Sequence, residues 1–304
     1  MSGRTGDGLL FHRWKAELCS LGVCLACVGA VGADGKDAAQ PAPKFTVATY
    51  NINYGDFDLK LAVETILKSG ADIVAIQETT VKQARHFRRH LRKTYKHMRF
   101  HTGKWADGFG FLSKKPLAKL TYLPRKHGCF GTWIAEAKLA GKTVQLANVH
   151  LYPTIPRKGD KLLDILKLIS ATEDLRTREI ARICGKAWRK RPVILLGDFN
   201  SPPYLRVRRY ILDRNYTDSF AAVAPNGPRS HTWRTNWRGT VWKQTLDYIY
   251  HSPHIRTLAS RVIASDASDH NLLLSELTWA PERAAGAATQ PAGAPGKTDG
   301  KAAQ

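Results

Sequence analysis

Short apolar runs with strand character alternate with stretches of helical periodicity along the middle of the chain. Residues 45–51 (FTVATYN) alternate and are rich in β-branched and aromatic side chains, which predicts a strand. Asp58 is placed to cap a helix through residue 68, with Leu59, Val63, Ile66 and Leu67 on one side and Gly70 as its stop. Residues 72–77 (DIVAIQ) form a continuous apolar run, as a strand buried on both faces requires. Residues 81–93 are helical in pattern, and 109–113 and 119–123 read as short strands. Residues 133–139 and 143–151 flank Ala140-Gly141, a hairpin signal. A long helical pattern covers 160–190, with a break expected near 170–172. A buried strand at 192–196, a helix at 203–214 and strands at 246–251, 258–264 and 272–279 complete the series. Several strands in succession separate the helices, so the pattern predicts a mixed α/β sandwich and excludes a regular βαβ repeat.

The ends have a different character. Arg13 and Lys15 precede the uncharged stretch 18–33, which closes on the small residues Val31-Gly32-Ala33. This reads as an export signal over 1–33, with an uncleaved membrane anchor as the alternative, and places the chain in a secreted or periplasmic setting. Residues 34–44 read as a linker and the Ala/Gly/Pro-rich 281–304 as a disordered tail, leaving 45–280 as one domain. Cys19, Cys24 and Cys27 fall in the export segment; Cys129 and Cys184 remain, as one disulfide or two buried thiols.

Composition adds one feature. The 304 residues are 43% hydrophobic, enough for a sizeable core, yet carry a formal net charge of +22. Residues 1–44 hold five basic and four acidic side chains and residues 281–304 three and two, so nearly all the excess sits on the central domain. A charge of this sign and size calls for an anionic partner such as nucleic acid, an acidic membrane surface or a phosphorylated substrate.

Candidate chemistry clusters at the ends of the apolar strands. Asn51 ends the first strand and Glu78 follows the second; His150 lies at a strand end; Asp198 and Asn200 follow VILLG; Asp247 opens DYIY; Asp269 and His270 precede the last strand. Strand ends hold side chains rigidly, as a site needs. Glu78, Asp247 and Asp269 could hold a hard divalent cation, and Asp198 or His270 could activate water.

Taken in order, TYNIN at 49–53, IQET at 76–79, NVHL at 148–151, GDFNSPP at 197–203, LDYI at 246–249 and SDHN at 268–271 resemble the endonuclease/exonuclease/phosphatase superfamily, the deoxyribonuclease I-like fold. The resemblance spans essentially all of 45–280. It implies a four-layer α/β sandwich, two packed and mostly antiparallel β-sheets flanked by helices, with a metal-dependent phosphodiesterase or phosphatase site at one edge. It implies Glu78 as the principal ligand of Mg²⁺, or of Mn²⁺ as a substitute, with Asn51 and Asp269 in support. Asp198 would orient or deprotonate water, Asn200 would bind phosphate, Asp247 would hold His270, and His270 and His150 would contact phosphate oxygens or move protons. Two positions depart from the pattern: Asn53 stands where an acid is common, and Thr245 where a basic residue is common.

Two segments are candidates for substrate binding. Arg85, Arg88, Arg89 and Arg92 share a face of the helix predicted at 81–93, a track for phosphates or a solvated outer face. In HTWRTNWRGTVWK (231–243), Trp233, Arg234, Trp237 and Arg238 interleave rings with cations, which suits stacking on unpaired bases and equally a membrane-facing loop or a packed lid. The expectation is a monomeric nuclease acting on DNA or RNA. A phospholipid or sugar-phosphate phosphodiesterase on the same fold and an inactive polyanion-binding protein are the alternatives.

Overall fold

A computed structural model describes residues 43–281, apart from 56, 57, 156, 158, 187–190, 225–229 and 238, and apart from the side chains of 162 and 237. The export segment, its three cysteines, the linker up to residue 42 and the tail from 282 lie outside the described residues. In chain order the elements are β1 (Lys44–Asn51), α1 (Leu59–Ser69), β2 (Ile73–Gln77), α2 (Val81–Leu91), β3 (His97–His101), β4 (Phe109–Ser113), β5 (Leu117–Leu123), β6 (Thr132–Leu139) and β7 (Lys142–His150). They continue with α3 (Leu162–Lys186), β8 (Val193–Asp198), α4 (Arg206–Leu212), β9 (Thr217–Asp218), α5 (Ser219–Val223), β10 (Trp233–Trp237), β11 (Thr240–Gln244), β12 (Asp247–His251), β13 (Ile255–Ile263) and β14 (Leu272–Trp279).

Two six-stranded sheets form, in the orders β13-β14-β1-β2-β4-β3 and β5-β6-β7-β8-β12-β9, and β10-β11 is a separate ribbon. Strand alternation explains how they stack. Phe45, Val47, Ile73 and Phe111 of the first sheet meet Leu146, Ile194, Leu196 and Ile249 of the second in one core between the sheets. The intervening residues are also apolar: Ala48, Tyr50, Val74 and Ile76 pack on α1 and α2, and Ala147, Val149, Val193 and Leu195 pack on α3 and α4. The result is the four-layer sandwich that the resemblance implies.

Each sheet contains one parallel pair, β1 with β2 and β7 with β8, and its other pairings are antiparallel. Parallel strands end at the same edge, and their antiparallel neighbours β14 and β12 begin there. That geometry gathers the ends of β1, β2, β7 and β8 and the starts of β12 and β14 at one edge of the sandwich.

The predicted caps hold. Asp58 accepts from the Lys60 and Leu61 amides, and Gly70 closes α1 at φ 64°. The break expected near 170–172 does not occur: the Thr172 hydroxyl donates to the Leu168 carbonyl at 2.8 Å, so it is satisfied without interrupting α3. The helix expected at 203–214 starts only at Arg206, because Pro202 and Pro203 occupy the preceding turn. Four short or polar elements, β3, β9, α5 and the β10-β11 ribbon, escape the periodicity. Cys129 and Cys184 are not joined in a disulfide. Among the described residues no helix is long and apolar enough to cross a membrane.

Candidate active site

Asn51 is the last residue of β1, and its side-chain amide donates to Glu78 Oε1 at 2.9 Å and to Asp198 Oδ2 at 3.1 Å, the latter across the two sheets. A buried polar pair beneath it joins the same sheets: the Gln77 amide donates to Asn148 Oδ1 at 2.7 Å. Glu78 sits at φ 62°. This left-handed conformation strains a residue with a long side chain, roughly 1–3 kcal/mol, and it turns the carboxylate back over the strand ends. The Tyr54 amide holds its Oε2 at 3.1 Å. Thr79, next in sequence, is fixed by backbone bonds from Gly103 and to Gly108.

On the second sheet, His150 and Asp198 are register partners at the ends of β7 and β8. His150 Nδ1 lies 3.1 Å from the Ala106 carbonyl, which can only accept, so this nitrogen carries the proton. Its Nε2 lone pair then faces Glu78 Oε1 at 3.9 Å and Asp198 Oδ2 at 3.7 Å. Phe130 stacks on the ring at 4.0 Å. His270 bridges two acids, with Nδ1 at 2.8 Å from Asp247 Oδ2 and Nε2 at 3.7 Å from Asp198 Oδ2.

The two histidines are held in opposite charge states. Burial, helped by the charge of His270, pushes His150 down to about 3, so it is neutral. Burial opposes the charge on His270 too, but Asp247, Asp198 and Asp269 outweigh it and raise His270 to about 10. Burial and then the Asp247 charge push Asp198 up to about 7, against the pull of His270. Glu78 is raised as well, chiefly by burial.

The chemistry of the donor set fits a divalent cation. Among the described residues, Glu78, Asp198, Asp247 and Asp269 form no ion pair with Lys or Arg, Arg176 acts on Asp198 only at longer range, and one imidazolium leaves the four carboxylates under-balanced. A neutral imidazole lone pair aimed at two carboxylates is unfavourable unless a cation lies between them. Asp247 Oδ1 is also buried without a hydrogen-bond donor among the described residues. Asp198, Asp247 and His270 fall within 4.8 Å of one another. A doubly protonated His270 offers no lone pair, however, so this trio is better suited to proton handling than to ligation.

Of the expected ligands, Glu78 stands nearest the histidines, whereas Asn51 Oδ1 accepts from the Asn53 amide at 3.0 Å and Asp269 is already occupied. Its Oδ1 accepts from Asn53 at 2.8 Å and from Ser268, and its Oδ2 accepts from Trp233 Nε1 at 3.0 Å. Asn53 therefore serves by orienting an acid where the family pattern often has one. Asn200, at φ 50°, donates its backbone N–H to Asp198 and one side-chain proton to the Leu151 carbonyl.

The candidate substrate residues divide. Trp233 lies at the site, its backbone bridged to His270. Arg234 does not face a substrate: its guanidinium is spent on Ser265, Asp266, Ser268 and Asn271, the loop that carries Asp269 and His270. Arg85, Arg88, Arg89 and Arg92 are exposed on α2, with Arg88 over the Phe100 ring at 4.7 Å. Trp237 pairs with Thr240 through its backbone, while its side chain and Arg238 lie outside the described residues. Sequence reasoning missed Tyr54, Ala106 and Phe130, which act through a backbone group or a ring; the glycines flanking KWAD at 104–107 were the available signal.

A comparison with curated proteins gives no match. The model of the Endonuclease/Exonuclease/phosphatase family matches residues 48–270. A two-sheet sandwich with carboxylates and histidines converging at one edge defines a phosphoester hydrolase fold, and the chain belongs to that family, whose members act on phosphoester bonds. Solved structures agree on the fold. An AP endonuclease from Archaeoglobus fulgidus is 18% identical with a TM-score of 0.57, covering 76% of this chain and 98% of that one. TDP2 from C. elegans is 17% identical with a TM-score of 0.58, covering 80% and 78%. D. rerio TDP2 in complex with a single-strand DNA product is 14% identical with a TM-score of 0.57, covering 77% and 99%.

Proposed function

We propose that the chain is a divalent-cation-dependent phosphodiester hydrolase acting on DNA or RNA. The observation that carries this reading is the cluster of four carboxylates around one cationic and one neutral histidine, on a domain that is otherwise strongly basic. Glu78, with Asn51 beside it, would hold Mg²⁺ or Mn²⁺, which as a Lewis acid offsets negative charge on a phosphate oxygen. Asp198, pushed up to about 7 so that it titrates near neutral pH and fixed by Asn51 and the Asn200 amide, accepts the proton of an attacking water in its ionised form. His270, kept charged by Asp247, donates to an oxygen on which negative charge develops. The remaining amide proton of Asn200 is available to a phosphate oxygen. Nucleic acid is favoured over a lipid or sugar-phosphate headgroup by the basic composition and by neighbours of the same fold that include an AP endonuclease and a complex with a single-strand DNA product.

The test is a substrate panel of single- and double-stranded DNA, RNA, phospholipid and a phosphomonoester. Cleavage of nucleic acid is expected with Mg²⁺ or Mn²⁺, with EDTA and Glu78→Ala each lowering it by at least about a thousandfold, several kcal/mol of transition-state stabilisation. Turnover of lipid or monoester without cleavage of any nucleic acid overturns the reading.

A further inference from the structure

The substrate surface expected from sequence was α2 and the β10-β11 segment. The described geometry directs attention to the flank of the site where the edge strands β3 and β5 of the two sheets meet. His101, the last residue of β3, stacks on Tyr122 of β5 at 4.0 Å. The loops that follow these strands both reach His150. Ala106 of the first loop accepts from its Nδ1, and Phe130 at the end of the second lies on its ring.

The first loop is anchored at both ends by backbone hydrogen bonds. Gly103 donates to the Thr79 carbonyl and the Thr79 amide donates to the Gly108 carbonyl, at 3.1 and 3.2 Å. A Cβ on Gly108 would overlap the same Thr79 carbonyl. The loop tip is thereby fixed to the residue that follows Glu78, and at that tip stands Trp105, 68% exposed. Its ring lies 6.4 Å from that of Tyr54, itself 44% exposed, whose backbone holds Glu78. A fixed backbone that presents two large rings to solvent beside the reacting groups loses apolar burial without gaining packing. Lys104 on this loop and Arg125, Lys126 and His127 on the next are exposed, and Asp107 is the one acid of the two loops.

We infer that Trp105 and Tyr54 form a stacking platform for an unpaired base of a single-stranded nucleic acid, whose backbone passes over Lys104, Arg125 and Lys126. Rings among cations at a fixed distance from a phosphodiester site suit a strand whose bases are free to splay. A duplex hides those faces inside its own stack. This rests on the nucleic-acid reading above and adds strandedness and a location to it.

The experiment measures kcat/KM for a single-stranded oligonucleotide, its duplex and bis(p-nitrophenyl) phosphate with the full chain. Base–aromatic stacking contributes about 1–3 kcal/mol per base. In Trp105→Ala the ratio of single-stranded oligonucleotide to small diester therefore falls about 5- to 100-fold, through KM, while Trp105→Phe retains most of it. Arg125→Ala with Lys126→Ala lowers the same ratio and flattens its salt dependence. Circular dichroism and thermal melts separate these effects from misfolding. An unchanged ratio in Trp105→Ala, an equal loss on duplex, or Trp105-dependent binding to phosphatidylcholine/phosphatidylserine vesicles overturns the platform while the nuclease reading stands. Hydrolysis of the small diester with no cleavage of any nucleic acid overturns the nuclease reading, and the platform with it.

Discussion

Gly197 shows how one residue sets the spacing of the site. Its φ of 152° lies in a region that side chains rarely adopt, and a Cβ there would overlap the Val149 carbonyl. This glycine lets β8 close on β7 just before their ends, which brings Asp198 level with His150. Gly197→Ala is expected to cost roughly 2–5 kcal/mol through strain and overpacking, seen as a lower urea midpoint at unchanged m-value. The sequence marks GDFN as chemistry-bearing but does not reveal that its glycine acts through packing. Close approach of two backbones is a tertiary fact. Arg234 teaches the same from the other side. Its place among tryptophans suggested a ligand contact, yet the loop it clamps comes from a segment some thirty residues on.

Among the elements, α3 contributes most to the site without entering it. Glu173, Arg176 and Glu179 recur at helical spacing on its buried face. Glu173 accepts from the Ser201 hydroxyl at 3.0 Å and the Val207 amide at 2.8 Å, holding the loop after Asp198. Arg176 donates to the Tyr152 carbonyl at 2.6 Å, and Glu179 accepts from the Tyr152 amide at 2.9 Å, holding the loop after His150. Periodicity gave the helix, but a charged stripe reads in sequence as a solvated face, and only the neighbouring loops make it an interior one. Burial raises Glu179 from an ordinary 4.5 to about 7, against the pulls of the Tyr152 amide and Arg176. Between those values the native chain keeps a proton that the unfolded chain has released. Stability therefore falls as pH rises from about 4.5 to about 7, by up to about 3 kcal/mol. Glu179→Gln should match the wild type near pH 5 and exceed it at pH 8 in urea denaturation, because a neutral amide keeps the acceptor without the buried charge.

At the scale of the whole molecule, the proposed function sets a basic chain against an acidic site. The chain carries a net charge of +22 and a site with four carboxylates, a combination that under the proposed function would draw in a polyanion and reserve a local excess of negative charge for a cation. Affinity for a single-stranded oligonucleotide, measured by anisotropy in EDTA, should fall linearly with log salt, at about 0.7 in slope per phosphate neutralised. A slope near zero would mean that the charge plays no part in recognition.

The sequence by itself determined a mixed α/β sandwich, because apolar runs at strand length and helices with one apolar side have few ways to bury both, and the family resemblance of its motifs implied the two packed sheets. It also determined which polar residues stand at strand ends, since a charged group that closes an apolar run is conspicuous. Tertiary structure alone decided how those residues are used. Asp269 is tied to Asn53 and Trp233, His150 and His270 acquire opposite charge states, and Trp105 is carried to the rim of the site. Each outcome depends on groups distant in the chain. Burial, electrostatic coupling and loop anchoring are properties of neighbours in space, and the sequence names the neighbours only along the chain.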